Sequence, residues 1–250
     1  MNDAAMTFGF RCNLCGAANL PDVQDGPAPA CGGCGGTALS RDIAAALTER
    51  LFGVPHPLPA LPLDDPRSGI TIGAAARCVG AMEQRFACQH AGGDTPLDLA
   101  RPEDASLWLA ADFVVCAAQL VRLPPPVSHG FARLHALLRP GGLLVLAEPS
   151  APIATTIEHV PAYHDARILA FGAQRVLVNR SASGAIQTFA ALDFPDETDR
   201  PVFRRFATGD LPALLAEAGF RDIVLHDPAP FAFGTTGREG GPVVTARRAA

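Results

Sequence analysis

The 250-residue sequence contains no lysine: all 20 of its basic residues are arginine. That excludes a phosphate-binding loop built on Lys, a Schiff-base enzyme and any Lys general base. Charge is sparse throughout, at 18% of residues with a net charge of −5, which argues against a nucleic-acid surface spread over the molecule. Aromatic side chains are few, and the single Trp108 and single Tyr163 offer no stacking box for a base or sugar. Every apolar run of membrane-spanning length is broken by Arg, Pro or Asp, so no membrane partner is expected. Residues 1–10 lack the basic start and apolar core of a secretory signal, and a cytoplasmic location is the expectation. What is present is a globular composition, with 48% hydrophobic residues and no period in the 24 Gly and 23 Pro. The length suits one sizeable domain, or one domain plus a small appendage.

Four of the seven cysteines are organised. Cys12-Asn-Leu-Cys15-Gly16 and Cys31-Gly-Gly-Cys34-Gly35 form two C-x-x-C-G knuckles separated by fifteen residues. Two tight turns that each present a pair of thiolates suit a tetrahedral zinc ion, and the spacing is that of a zinc ribbon. The Gly after each second Cys lets the backbone take positive φ and close round the sulfurs. Disulfides or a redox pair are the alternative, disfavoured in a chain without an export signal. Residues 1–39 have almost no core of their own, so metal binding would supply the folding energy. Asp3, Asp22 and Asp25 against Arg11, with the negative charge of a four-thiolate zinc site, would repel phosphates, so a structural cap or substrate-lid module is expected. Cys78, Cys88 and Cys116 lie in apolar runs, as packing residues do.

Past the ribbon, Ser40 is placed to cap a helix carrying Ile43, Leu47 and Leu51, closed by Gly53. A Pro-rich linker follows to residue 68, giving segments 1–39 (ribbon), 40–68 (capping helix and linker) and 69–250 (body). Gly69–Gly73, Asp112–Cys116 and Leu143–Ala147 read as buried strands, the third fully apolar and therefore central. Helices are expected over Ala74–Phe86, through Val127 to Leu138, and over Leu211–Ala218 with Asp210 as cap. Two last strands at Ile223–His226 and Val243–Ala246 complete the pattern, and strand alternating with helix means a mainly parallel sheet.

The Leu-Arg-Pro-Gly-Gly turn before the third strand resembles the Leu-x-Pro-Gly-Gly segment of class I S-adenosylmethionine-dependent methyltransferases. More specifically, the chain resembles a bacterial group that joins a four-Cys ribbon to that fold. In that group the loop after the fifth strand looks like Ile157-Glu158-His159-Val160-Pro161, His164-Asp165 and Val178-Asn179-Arg180. The resemblance covers roughly residues 8–248. It implies a Rossmann-like α/β fold with a seven-stranded sheet, helices on both faces and a late hairpin with an antiparallel last strand. It also implies S-adenosylmethionine as cofactor at the carboxyl ends of the strands, touching Gly69, Gly73, Asp98 and Cys116.

Several positions depart from the family pattern. The first turn reads Gly73-Ala-Ala-Ala-Arg77, no carboxylate ends Phe86–His90, and Asp98 is the best-kept acidic position. After the fourth strand, Cys116 to Pro126 lacks the family's acidic residue and Glu-His pair. Pro195-Asp-Glu-Thr-Asp199 replaces a Gly-rich loop.

Glu158, His159 and His164 are the clustered acid-base candidates. His159 can take a proton from a hydroxyl or amine, with Glu158 or Asp165 orienting it; imidazoles bonded to backbone carbonyls are the plainer alternative. A metal site there lacks helical His spacing. Arg200, Arg204 and Arg205 can clamp an anionic substrate, although a solvated strand edge is the favoured reading. His129 and His135 read as solvated.

Two functions remain open. One is methyl transfer to a small-molecule O or N acceptor. The other is a catalytically silent pseudo-methyltransferase serving as scaffold or partner subunit, or the fold reused for other chemistry, with Gln119 or Arg77 plugging the pocket. A nicotinamide oxidoreductase and a zinc hydrolase are excluded for want of G-x-G-x-x-G and of an open metal position.

Overall fold

The computed structural model describes residues 9–20, 29–73, 76–91, 111–172, 174–195, 200–226, 233–234 and 240–249. In chain order the strands are β1 (Phe10–Arg11), β2 (Ala18–Asn19), β3 (Asp65–Gly73), β4 (Phe86–Ala91), β5 (Ala111–Ala117), β6 (Leu138–Ala147) and β7 (Ser150–Ala151). They continue with β8 (Ile157–Glu158), β9 (Asp165–Phe171), β10 (Gln174–Arg180), β11 (Ile186–Phe189), β12 (Arg204–Ala207), β13 (Phe220–His226) and β14 (Val243–Arg248). The helices are α1 (Ala38–Phe52), α2 (Ala76–Glu83), α3 (Ser128–Leu137) and α4 (Leu211–Glu217). None is long and apolar enough to cross a membrane.

The central sheet has the order β13-β14-β6-β5-β3-β4. β4, β3, β5 and β6 are parallel, while β14 runs antiparallel to both β6 and β13. Six strands are therefore present among the described residues where seven are expected; residues 92–110, between β4 and β5, lie outside them. Phe113–Ala117 of β5 and Leu143–Ala147 of β6 are covered on both faces, which is why these stretches are unbroken apolar runs. Val114, Cys116, Leu144 and Leu146 face one core with Phe131, Leu134, Leu211 and Leu215 of α3 and α4. Phe113, Val115, Leu143 and Val145 face the other, with Ile43 and Leu47 of α1 and Met82 of α2.

Phe10, Cys12, Leu14 and Cys31 of the ribbon belong to that second core, so ribbon, α1 and sheet share one apolar layer. β9, β10 and β11 form a separate antiparallel meander over Val160, Leu177 and Phe203. β12 bridges β7 and β8 beside the main sheet.

Local chemistry shifts some boundaries. Thr37, not Ser40, caps α1: its Oγ1 accepts the Ser40 N–H at 3.3 Å, and Gly53 closes the helix at φ +86°. Phe86 opens β4 rather than ending α2, and packs edge-on against Phe113 with ring centroids 5.2 Å apart. Asp210 makes no side-chain cap on α4; its carboxylate accepts the Thr156 N–H at 2.7 Å. His135 is half-buried against the Phe220 ring, not solvated.

Gly69 sits in mid-strand, as the strand reading of Gly69–Gly73 expects, paired with Phe113 and Cys88. A Cβ there would overlap the Phe113 ring. Gly69→Ala is expected to destabilise the fold by about 1–3 kcal/mol through overpacking, read as a lower denaturation midpoint at unchanged m-value.

Candidate functional site

The knuckles are closed by their own backbones. Gly16 N donates to Cys12 O at 2.8 Å and Gly35 N to Cys31 O at 2.7 Å, with φ of +79° and +69° at the two glycines. All four Sγ atoms of Cys12, Cys15, Cys31 and Cys34 lie within 4.8 Å of one another. Cys12 and Cys34 are 3.8 Å apart and Cys15 and Cys31 3.7 Å. Four sulfurs at zinc–sulfur distance on a tetrahedron stand about 3.8 Å apart, so the cluster fits an ion of that size and closes its coordination shell. The cysteines are free thiols, not disulfides. Burial raises the Cys31 thiol, but the Cys34 backbone N–H, the Asn19 amide and the Gly33 N–H outweigh it and pull it down to about 6.

Arg41 supplies an independent fit test. It is wholly buried, stacks over the Phe10 ring at 4.3 Å, and donates to the carbonyls of Gly36 (2.6 Å), Pro29 (3.1 Å) and Gly234 (2.6 Å). Carbonyls do not neutralise a guanidinium. Cys12 and Cys31 lie within its Coulombic reach, with Asp42, and a divalent ion on four thiolates would carry the compensating charge.

A second site opens at the carboxyl ends of the parallel strands. A cleft of about 950 Å³ lies where β5 and β6 end and β14 begins, lined by Ala118, Pro149 to Pro152, and Gly240 to Pro242. Open α/β sheets place ligands at this edge. Its remaining wall includes His159, Arg122, Asp193, Arg204 and Arg205.

The floor behind this wall is organised by Glu148, the residue that follows β6. Its Oε1 accepts the N–H groups of Gln119 (2.8 Å) and Leu120 (3.0 Å), and its Oε2 that of Val121 (3.1 Å). Burial pushes this carboxyl up to about 7, against the lowering effect of those amides and of the Arg204 charge. The three bonds hold the turn after β5, in which Ala118 takes the left-handed φ of +52° that a residue with a Cβ adopts only under constraint.

Arg204 is fully buried, not on a solvated strand edge. Its Nε donates to Glu158 Oε1 at 2.6 Å and its Nη1 to Leu120 O, while Nη2 is buried without a partner. Strand register brings these residues together, since Arg204 pairs directly with Glu158 across β12 and β8.

The expected site residues separate. Glu158 is committed to Arg204 and not to an imidazole. His159 is exposed on the cleft, its backbone N–H donating to Phe203 O at 2.8 Å. His164 is exposed at the start of the meander, outside the cleft lining, its N–H donating to the buried Asn179 side chain at 2.9 Å. Asn179 also donates to Ala162 O, so this Asn sets the turn.

Cys116 is wholly buried behind the cleft, its thiol 3.9 Å from Glu148 Oε1 and held well above the usual thiol range by burial and the Glu148 charge. Gly73 ends β3 at φ +77°, with the Gln119 side chain and Ala117 O leaning on its Cα. Asp98 and the Arg77 side chain lie outside the described residues. Glu148 and Arg204 are the residues that motif reading underrates. The one available signal for Glu148 is an acid directly after the most apolar strand.

No family model and no curated protein sequence matches the chain. Among solved structures it is similar to 1,6-didemethyltoxoflavin-N1-methyltransferase from Burkholderia thailandensis, with bound 1,6-didemethyltoxoflavin and S-adenosylhomocysteine. The identity there is 19%, over 85% of this chain and 79% of that one, with a TM-score of 0.42. It is also similar to the sugar N-methyltransferase KedS8 from Streptoalloteichus (14% identity, 85% and 87% covered, TM-score 0.46). A third is CalS10, an amino pentose methyltransferase from Micromonospora echinaspora (16%, 83% and 90%, TM-score 0.44).

Proposed function

We propose that the chain transfers a methyl group from S-adenosylmethionine to an O or N atom of a small molecule, in a Rossmann-like body carrying a zinc ribbon. The observation that carries the reading is the cleft at the carboxyl ends of β5 and β6, with an exposed imidazole, His159, on its wall. The Gly73 turn would receive the methionine end of the cofactor, and Asp98 is the proposed adenine-side contact. When bound, the cofactor supplies a methyl group already attached to a good leaving group.

The protein's part is to hold the acceptor in line and remove its proton. His159 is the proposed base. Glu158 serves it indirectly by fixing Arg204 in the adjoining wall, and Cys116 by donating to Glu148 beneath the floor. His164 stands outside the cleft lining, its backbone N–H donating to Asn179 Oδ1.

Calorimetry with S-adenosylmethionine and S-adenosylhomocysteine tests the cofactor directly. Saturable heat is expected, and silence from both at millimolar concentration removes the proposal. His159→Asn is expected to lower kcat by about 10²–10⁴ with little change in cofactor affinity. An unchanged kcat would assign the base elsewhere.

A silent scaffold is favoured by one observation, the Gln119 side chain resting on Gly73. If that amide blocks the cofactor, Gln119→Ala gains measurable S-adenosylhomocysteine binding that the parent chain lacks.

A further inference from the structure

We propose that the acceptor bound in the strand-end cleft carries a carboxylate, read by the free edge of the Arg204 guanidinium. The inference rests on the methyltransferase reading only for the word acceptor; the anion site stands on its own geometry.

Arg204 is built as a recognition group. It has no exposed surface, its Nε is fixed by Glu158 and its Nη1 by Leu120 O, so the plane of the fork is set before any ligand arrives. The Nη2 edge is left without an acceptor, and the residue belongs to the cleft wall. A buried charged donor left unbonded costs more than a neutral one, and an oxyanion is the strongest acceptor for its remaining N–H groups.

The surrounding charge agrees. Glu158 offsets Arg204, and Asp193 is the single carboxylate among the described lining residues, with Arg205 also on that wall. Arg205 follows Arg204 on β12 and is exposed, placed to meet a ligand anion from the solvent side. Ser150 and Thr208, 3.3 Å apart through their hydroxyls, add neutral hydrogen-bonding groups on the same wall. With Glu158 already offsetting Arg204 and Asp193 on the same wall, a singly charged carboxylate fits better than a doubly charged phosphate.

The test is calorimetry and ligand-observed NMR on the full chain with a panel of small carboxylates (benzoate, salicylate, phenylacetate, glutarate), each beside its uncharged amide, and with inorganic phosphate. At least one carboxylate is expected to saturate while its amide does not. Arg204→Lys, which keeps the charge and loses the fork, is expected to weaken it at least about tenfold. Should that variant fail to fold, Arg205→Gln decides, with an expected loss of about threefold or more.

The proposal is overturned if no carboxylate saturates, if amides bind as well, if phosphate binds more tightly than every carboxylate, or if the folded variants bind unchanged. Carboxylate binding without any response to S-adenosylhomocysteine would leave the site standing and remove the methyl-transfer reading. The reverse pattern would remove only the anion site.

Discussion

Replacing Cys12 and Cys31 together by Ser is expected to abolish metal retention and to lower the melting temperature by about 8–16 °C. The two sulfurs are the buried members of the cluster, and each stands against an exposed one, Cys34 and Cys15. A closed four-thiolate site contributes on the order of 10 kcal/mol to folding its own segment. The effect does not stay local, because Phe10, just before the first knuckle, and Leu14, within it, belong to the same core as Val115 and Val145. If even ~4 kcal/mol of that contribution reaches the body, a domain of this size shifts by roughly 2–4 °C for each kcal/mol. Native mass spectrometry is expected to give one zinc per parent chain and none per variant. Equal metal content in both would contradict the ribbon.

The second large effect is expected at Glu148. Its carboxyl sits near 7 in the folded chain against an ordinary value of 4.5, so between those values the folded state holds a proton that the unfolded state has released. Stability from this group is therefore full below about pH 4.5 and declines as pH rises towards 7. The decline amounts to about 3 kcal/mol at most.

Glu148→Gln removes the titration and leaves one oxygen for three backbone donors, at a cost of about 1–3 kcal/mol. The deficit of the variant relative to the parent should thus shrink as pH climbs from 4.5 to 7.5. Denaturant midpoints across that range measure it, and parallel curves would show that the carboxyl does not titrate there.

The parts of the fold visible beforehand are those that local pattern dictates. Leu143–Ala147 is apolar without interruption because sheet and helices cover both its faces, and Gly53 ends α1 because only a residue without a Cβ adopts that φ freely. Phe86 was assignable to α2 by its spacing from Val79 and Met82, yet its ring is needed against Phe113, a long-range contact that periodicity does not carry. The site was less legible for the same reason. Glu158 and Arg204 are 46 residues apart and meet only through the β8–β12 register, so a charge expected at the surface is instead buried. The Glu-His-His grouping was close in the chain, but β8 ends between its members and the meander begins, carrying His164 away from the cleft lining.

The shared apolar layer under the ribbon has a practical consequence. Removing the ribbon while keeping α1 and the body would uncover a greasy trough along α1 and the odd-numbered positions of β5 and β6, formerly roofed by Phe10, Leu14 and Cys12. Such a fragment would tend to stick to itself. The small four-cysteine segment would therefore act as a keystone for solubility as well as for shape.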